Sequence, residues 1–284
     1  MMISAMMAAS LSLVSLQPAP PCDGFDIEIT QTDGLVYDAA DISDTIIHLR
    51  LRASDAELPT GCERLAVRLA IPDGTAAEPV LAGPSAQLEA DWERADEIRR
   101  TGSTWRLQRD AVRRLVSGET LTLPFYRLAA GQFVPPGLYE HRLEVTSGDR
   151  LATIPVGSQV LPALRFEGST SAGTHVINLG DIDTGAQGRS DFFFRTNTAV
   201  SVMVHSDNLG ALVHERGAEF GAVSYTASVS GQVVDLTLAA GDTVDFPYRS
   251  SAVQSGSLEI DVPPAIHHYA GLYRDVITMS FIPY

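Results

Sequence analysis

The sequence predicts an all-β protein of two tandem antiparallel sandwich domains, and three observations carry that prediction. Apolar residues recur at every second position along most of the chain, as half-buried strands require. Gly, Pro, Asp and Asn fall between these runs, as at Asp73-Gly74, Ser230-Gly231 and Gly241-Asp242, and helical periodicity is nearly absent. A motif also repeats: Pro135-Pro136-Gly137-Leu138-Tyr139-Glu140-His141-Arg142-Leu143-Glu144-Val145 is echoed by Tyr269-Ala270-Gly271-Leu272-Tyr273-Arg274-Asp275-Val276-Ile277-Thr278-Met279, so that Gly137 and Gly271 are 134 positions apart. Each copy follows an alternating run, as a strand, a loop and a domain's last strand would. The repeat divides the chain into residues 22–158 and 159–284, joined near Thr146 to Pro162.

The strands follow in order. Phe25, Ile27 and Ile29 alternate with Asp26 and Glu28; Ile47, Leu49 and Leu51 follow, then Leu65, Val67, Leu69 and Ile71, with Arg50 and Arg68 on the opposite faces. Trp92 to Val116 is rich in Glu, Arg, Asp and Ala and scores as helix on propensity. Leu88, Ala90 and Trp92 nevertheless alternate, so this stretch reads as a strand leading to at most one short helix over Arg106 to Val116, with a solvated charged face. In the second half the alternation returns at Val200, Val202 and Val204, at Val223, Tyr225, Ala227 and Val229, and at Leu258, Ile260 and Val262.

Composition narrows the function. The chain has 284 residues, 45% apolar and 19% charged, which is globular and long enough for about two domains. Its net charge is -15 and all 20 basic residues are Arg. That balance argues against a nucleic-acid partner and against an anionic membrane surface. Met1 to Pro21 reads as a secretory signal peptide, being apolar, too short to span a bilayer and closed by a Pro-rich break. No other apolar run reaches about 18 residues, so no membrane insertion is expected. Cys22 and Cys62 fit a disulfide in an oxidising compartment, with two free thiols as the alternative. Without a nearby His they do not make a zinc site.

Several motifs together resemble one family. Ala270-Gly271-Leu272-Tyr273-Arg274-Asp275-Val276-Ile277-Thr278-Met279-Ser280-Phe281 resembles the closing strand of spore coat protein U domains, found in archaic chaperone-usher pilus subunits. Asn178-Leu179-Gly180-Asp181-Ile182-Asp183-Thr184-Gly185 is similar to that family's DFG-x-L-x-x-G turn, and Ser206-Asp207-Asn208-Leu209-Gly210-Ala211-Leu212 to its S-x-N-x-G-x-L segment. Leu35-Val36-Tyr37-Asp38, followed by strand and Cys62, resembles the start of such a domain. Two departures stand out: no aromatic follows Tyr37-Asp38, and Asn178-Leu179 replaces the common Asp-Phe.

The resemblance implies two immunoglobulin-like β-sandwich domains, the C-terminal one an incomplete pilin-type sandwich. Its missing strand would come first from a periplasmic pilus chaperone and then, at the usher, from an adjacent pilin subunit, by strand addition. Val276, Ile277, Met279 and Phe281 would border the groove, and the chain stops at Tyr284 just after a strand. A Cys22–Cys62 disulfide would fasten Phe25 to Ile29 into its own domain, leaving no free extension to donate. This favours a tip adhesin, exported to the periplasm and then the cell surface, for a receptor the sequence does not name. A non-adhesive pilus or coat component is the alternative.

An enzyme is not expected, since no G-x-S-x-G, P-loop, H-E-x-x-H or dinucleotide fingerprint occurs. Asp181-Ile182-Asp183-Thr184-Gly185 reads as a turn rather than a calcium loop, for want of the later Glu. His267-His268 would point to opposite faces of a strand. No cofactor is expected. If the first domain's final strand runs from Tyr139 toward Val145 and into the linker, the loops near Leu35 to Asp44, Pro72 to Ala86 and Arg127 to Pro136 gather at the end remote from the second domain. Leu35, Val36, Val80, Leu81, Phe133, Val134 and Pro135 are then the expected surface-binding residues.

Overall fold

A computed structural model describes residues 22–55, 58, 61–72, 79–264 and 269–284. Met1 to Pro21, Asp73-Gly74 and His267-His268 lie outside the described residues. The first half contains β1 (Ile27–Asp33), β2 (Val36–Tyr37), β3 (Thr45–Ala53), β4 (Val67–Ala70), β5 (Val80–Ala82), β6 (Gln87–Glu89), β7 (Asp91–Trp92), β8 (Ile98–Thr101), β9 (Thr104–Leu107), helix α1 (Arg109–Val116), β10 (Leu121–Leu128), β11 (Gly137–Ser147) and β12 (Arg150–Val160). One sheet has the order β1-β3-β10-β7 and the other β2-β12-β11-β4-β9-β8, with the β5–β6 hairpin attached through β11.

The second half contains β13 (Leu164–Phe166), β14 (Ala186–Thr196), β15 (Val200–Ser206), β16 (Ala211–His214), β17 (Ala222–Ser224), β18 (Thr226–Val229), β19 (Gln232–Val234), β20 (Asp242–Phe246), β21 (Gln254–Val262), β22 (Tyr273–Arg274) and β23 (Ile277–Pro283). A sheet β13-β14-β21-β18-β19 shares its core with β20-β15-β23, beside a small sheet β17-β16-β22. The fold is all-β, two immunoglobulin-like sandwiches in tandem.

Alternation sets each strand's buried face. On β3, Ile47, Leu49 and Leu51 are fully buried while Arg50 and Arg52 face water. Each such aliphatic side chain contributes about 1.5–3 kcal/mol by leaving water. Helix α1 occupies part of the stretch expected to hold at most one short helix. It buries Ala111, Val112 and Leu115 and exposes Arg109, Asp110, Arg113 and Arg114. The Val223 to Val229 run is one pattern serving two sheets: Ala222–Ser224 pairs with β16, Thr226–Val229 pairs with β21, and the chain changes sheet at Tyr225.

The expected linker over Thr146 to Pro162 is overturned. It is mostly β12, which pairs with β11 along its whole length from Gly137 opposite Val160 to Ser147 opposite Arg150. Pro155 and Gly157 interrupt the apolar alternation there, although Val156, Ser158 and Val160 are all buried. The first sandwich therefore runs through Val160, past the expected boundary at 158, and the junction is Leu161 to Ala163.

A polar bridge joins the two sheets of the first core. The buried Tyr126 hydroxyl lies 2.6 Å from Nε2 of His141, whose Nδ1 lies 2.9 Å from the Arg142 carbonyl. Burial raises the Tyr126 pKa, so the phenol keeps its proton and donates to a neutral imidazole, which donates from Nδ1. Burial also lowers the His141 pKa below its ordinary 6.5. Below that unfolded-state value the unfolded chain binds a proton the folded chain resists, so this contribution is present above about pH 6.5 and is lost as pH falls. Urea titrations between pH 7.5 and 5 should show first-domain stability dropping on acidification, with a smaller drop for His141→Gln. Cys22 and Cys62 are disulfide-bonded, with Cα atoms 5.1 Å apart and 40 positions between them in sequence. Replacing both by Ser should lower first-domain stability by about 3–4 kcal/mol, read from urea titrations as a lower midpoint with a slope that does not fall, since the unlinked unfolded chain exposes at least as much surface.

Candidate functional site: an unpaired strand edge

The repeated motif forms the same local structure in both domains. The Tyr139 hydroxyl donates to the Pro135 carbonyl at 2.8 Å, and the Tyr273 hydroxyl to the Tyr269 carbonyl at 3.0 Å, each reaching back four residues. This is the tyrosine corner that opens the penultimate strand of an immunoglobulin-like sandwich. Strand β11 then matches the segment ending in β23. Each pairs on one side with a strand of its own sheet, β4 and β15 respectively.

On the other side they differ. β12 covers the outer edge of β11, and the inward residues Leu143, Val145 and Ser147 are at most 2% exposed. The positions 134 residues later, Ile277, Met279 and Phe281, are only half-buried, and among the described residues nothing pairs with the outer edge of β23. Val276, also expected at this border, is 57% exposed and precedes the strand.

Across the gap stands β13. Phe166 meets Phe281 edge-on with ring centres 4.9 Å apart, and Phe281 also contacts Phe192 and Phe194. Farther along, the segment from Thr174 to Thr184 has no strand partner. Its Ile177 and Leu179 pack over Gly188, where a Cβ would lie 2.4 Å and 2.7 Å from them. Ile177 and Leu179, like Ile277, Met279 and Phe281, are half-buried apolar side chains packed against the second core, and among the described residues neither this segment nor the outer edge of β23 has a strand partner. The Asp181 to Gly185 stretch is a turn, in which the Asp183 N–H donates to Oδ1 of Asp181 at 3.0 Å.

Three other exposed edges are protected. Edge strand β12 carries Pro155, and the Gln31 amide acts as a one-residue strand at Gly157, accepting from its N–H at 3.0 Å and donating to its carbonyl at 2.7 Å. β8 carries Arg99 and Arg100, and β20 carries Asp242 and Asp245. On β23, Thr278, Ser280 and Ile282 give no charge or bulge to discourage a partner.

Residues not picked out individually from the sequence hold the start of β23. Oδ2 of Asp275 accepts from the Ser206 hydroxyl at 2.6 Å and from the Tyr225 hydroxyl at 2.5 Å, and Oδ1 accepts from the Asn208 N–H at 3.1 Å and the Val276 N–H at 2.7 Å. Ser206 Oγ accepts in turn from the Gly210 N–H at 2.7 Å. Burial, then the Asp275 carboxylate, raises the Tyr225 pKa, so its proton stays. Gly271 lies against the buried His214, where a Cβ would stand 2.0 Å from Nε2. The S-x-N-x-G and A-G-L-Y-x-D segments are therefore two halves of one clasp.

The described parts of the expected surface-binding loops come together, but at the opposite end. Because β12 reverses the chain, Gly137 and Val36 lie beside Gln159 and Val160, next to the second domain. Phe133 is buried there, with the guanidinium carbons of Arg165 and Arg195 5.4 Å and 5.6 Å from its ring centre. Glu167 holds both arginines, and the Asn197 side chain bonds the main chain at Ala163 and Leu161. Leu81 is buried, Val80, Val134 and Pro135 are half-buried, and only Leu35 and Val36 are exposed. The remote end instead carries the disulfide, the Ser147–Arg150 turn and the end of α1.

No family model matches the chain, and no curated protein matches it. Among solved structures it is similar to a CsuC–CsuE chaperone–tip adhesion subunit pre-assembly complex of archaic chaperone-usher Csu pili from Acinetobacter baumannii, at 12% identity and TM-score 0.45, covering 89% of this chain and 90% of that chain. It is also similar to a chaperone–tip adhesin complex of CFA/I fimbriae, at 14% and 0.34 over 91% and 84% of the two chains. A third is the CupB6 tip adhesin from Pseudomonas aeruginosa, at 9% identity and TM-score 0.30 over 91% of this chain and 93% of that chain.

The clasp makes its own prediction. Gly271→Ala and Asp275→Ala should each destabilise the second domain by about 1–3 kcal/mol, the first by overpacking His214 and the second by stranding two buried hydroxyls. Thermal melts of the full chain would show the second domain's transition shifted down while the first domain's stays in place.

Proposed function

We propose that this protein is a two-domain subunit of a chaperone-usher type pilus, exported through the periplasm to the cell surface. Its second domain accepts an extended strand from another chain along β23, and its first domain is presented to a surface or receptor. One observation carries the reading: positions sealed by β12 in the first domain are half-open at Ile277, Met279 and Phe281 in the second. An open edge above an apolar cleft is what strand addition uses, with main-chain bonds for affinity and alternate side chains filling the cleft. An unprotected edge invites aggregation, which gives a periplasmic chaperone its role before an adjacent pilin subunit takes the place at the usher.

The spore coat protein U resemblance of the clasp and turn motifs supports the same reading. Residues 22–33 are not available for donation, since β1 pairs with β3 and Cys22 is bonded to Cys62. The position proposed for the chain is that of a strand acceptor at the fibre tip. A non-adhesive structural component is the second reading, favoured by the placement of the apolar loop residues at the junction rather than at the remote end.

The test adds an extended peptide of alternating apolar residues to the full chain and follows amide exchange. The amides between Ile277 and Ile282 that face away from β15 should become protected, and Met279→Asp should abolish the effect while leaving the first domain's exchange unchanged. Unchanged exchange along β23, or protection of a different strand, would refute strand acceptance.

A further inference from the structure

Three arginines stand side by side on the outer face of the first domain's larger sheet. Arg68 of β4 is directly opposite Arg106 of β9, which is directly opposite Arg99 of β8. Neighbouring strands are about 4.8 Å apart, so the row spans about 10 Å. All three are exposed, and none of their guanidinium groups has an ion pair or hydrogen bond among the described residues.

Like charges directly opposite one another disfavour strand pairing. The chain has 35 acidic residues to 20 arginines, yet among the described residues none closes this row. Some exposed arginines elsewhere are engaged, Arg127 by Asp91, Arg189 by Asp191 and Glu259, Arg114 by Glu119, and others such as Arg50 and Arg52 stand without an ion pair among the described residues; what sets Arg68, Arg106 and Arg99 apart is that they lie directly opposite one another. On the same face Glu144 stands opposite Ala70, diagonal to Arg68, and makes no ion pair, while Glu97 is held by Arg114. Hydroxyls flank the row: Thr146 opposite Arg68, and Thr104 and Thr101 two positions along from Arg106 and Arg99. The row lies toward the end remote from the second domain, since the neighbouring Val67 is opposite Ser147 at the β11–β12 turn.

We propose that Arg68, Arg106 and Arg99 bind an anionic polysaccharide bearing carboxylates on successive sugars. A guanidinium matches a carboxylate with two parallel hydrogen bonds, and the threonines suit sugar hydroxyls. Charge density separates this occupant from nucleic acid. A duplex or an anionic membrane would bring dense negative charge against a chain of net charge -15, whereas one charge per sugar can be met locally by one row. The site belongs to the first domain and stands whether or not β23 accepts a strand.

The experiment measures binding of the full chain to immobilised polygalacturonate, with neutral dextran as the blank. Arg68→Ser/Arg99→Ser/Arg106→Ser should weaken binding at least about tenfold, since it removes three charge-assisted contacts. The single change Arg106→Ser should act in the same direction. Arg50→Ser/Arg52→Ser/Arg249→Ser, which removes equal charge elsewhere, should leave binding unchanged, and added salt should weaken it in the native chain. Circular dichroism and melting would show each variant folded. No binding by the native chain, equal loss in both triple variants, or tighter binding to duplex DNA than to polygalacturonate would each overturn the proposal.

Discussion

Main-chain hydrogen bonding at a sheet edge is the constraint on which this structure turns. Every buried N–H and C=O needs a partner, and an edge without one must be shielded or will recruit one. The first domain meets this by spending eleven residues, Arg150 to Val160, on β12, and then shields β12 itself with Pro155, the Gln31 amide and the short parallel β2. The second domain repeats the tyrosine corner and the strand after it, and among the described residues nothing covers that strand. Within one chain the two domains are a matched pair: the covered strand buries Leu143 and Val145, and the uncovered one leaves Ile277 and Met279 half in solvent.

A strand with one free edge needs other means to hold its position. The clasp provides them at the start of β23, where one carboxylate, Asp275, accepts four hydrogen bonds from β15, from the following turn, from Tyr225 and from its own neighbour. At the other end Phe281 sits among Phe166, Phe192 and Phe194. The strand is thus fixed at both ends while its middle, Thr278 to Ser280, keeps an unoccupied edge. Such pre-organisation reduces the ordering cost an incoming strand would meet.

Much of this was legible in the sequence because the physics is local. Alternation at Ile47, Leu49 and Leu51 follows directly from the pleat, and a lone pair of cysteines in an export-like context has few other uses. The repeat around Tyr139 and Tyr273 was equally visible. What escaped was the strand after the first copy, because Pro155 and Gly157 break the pattern that identifies strands, and a proline on an edge is a shielding device as well as a strand breaker. That one omission reversed the polarity of the domain, so that Phe133 and its neighbours were assigned to the wrong end. The clasp escaped for another reason: Ser206, Tyr225 and Asp275 are far apart in sequence and meet only in space.

The reversal also changes which surface the first domain offers away from the second. Apolar loop residues that would have suggested a greasy contact are largely consumed at the junction, where Arg165 and Arg195 cover Phe133 and Asn197 ties down Ala163. Toward the remote end the outer sheet face bears charge and hydroxyls, and its least compensated feature is the register that puts Arg68, Arg106 and Arg99 in one line. Register in a sheet is set by the buried faces, here Leu69 and Trp105, so the outward residues inherit their alignment. An aligned row of like charges is then a property the core imposes, and only substitution of the arginines themselves could relieve it. With no carboxylate partner among the described residues, the row is a candidate for an external anion rather than a stabilising element of the fold.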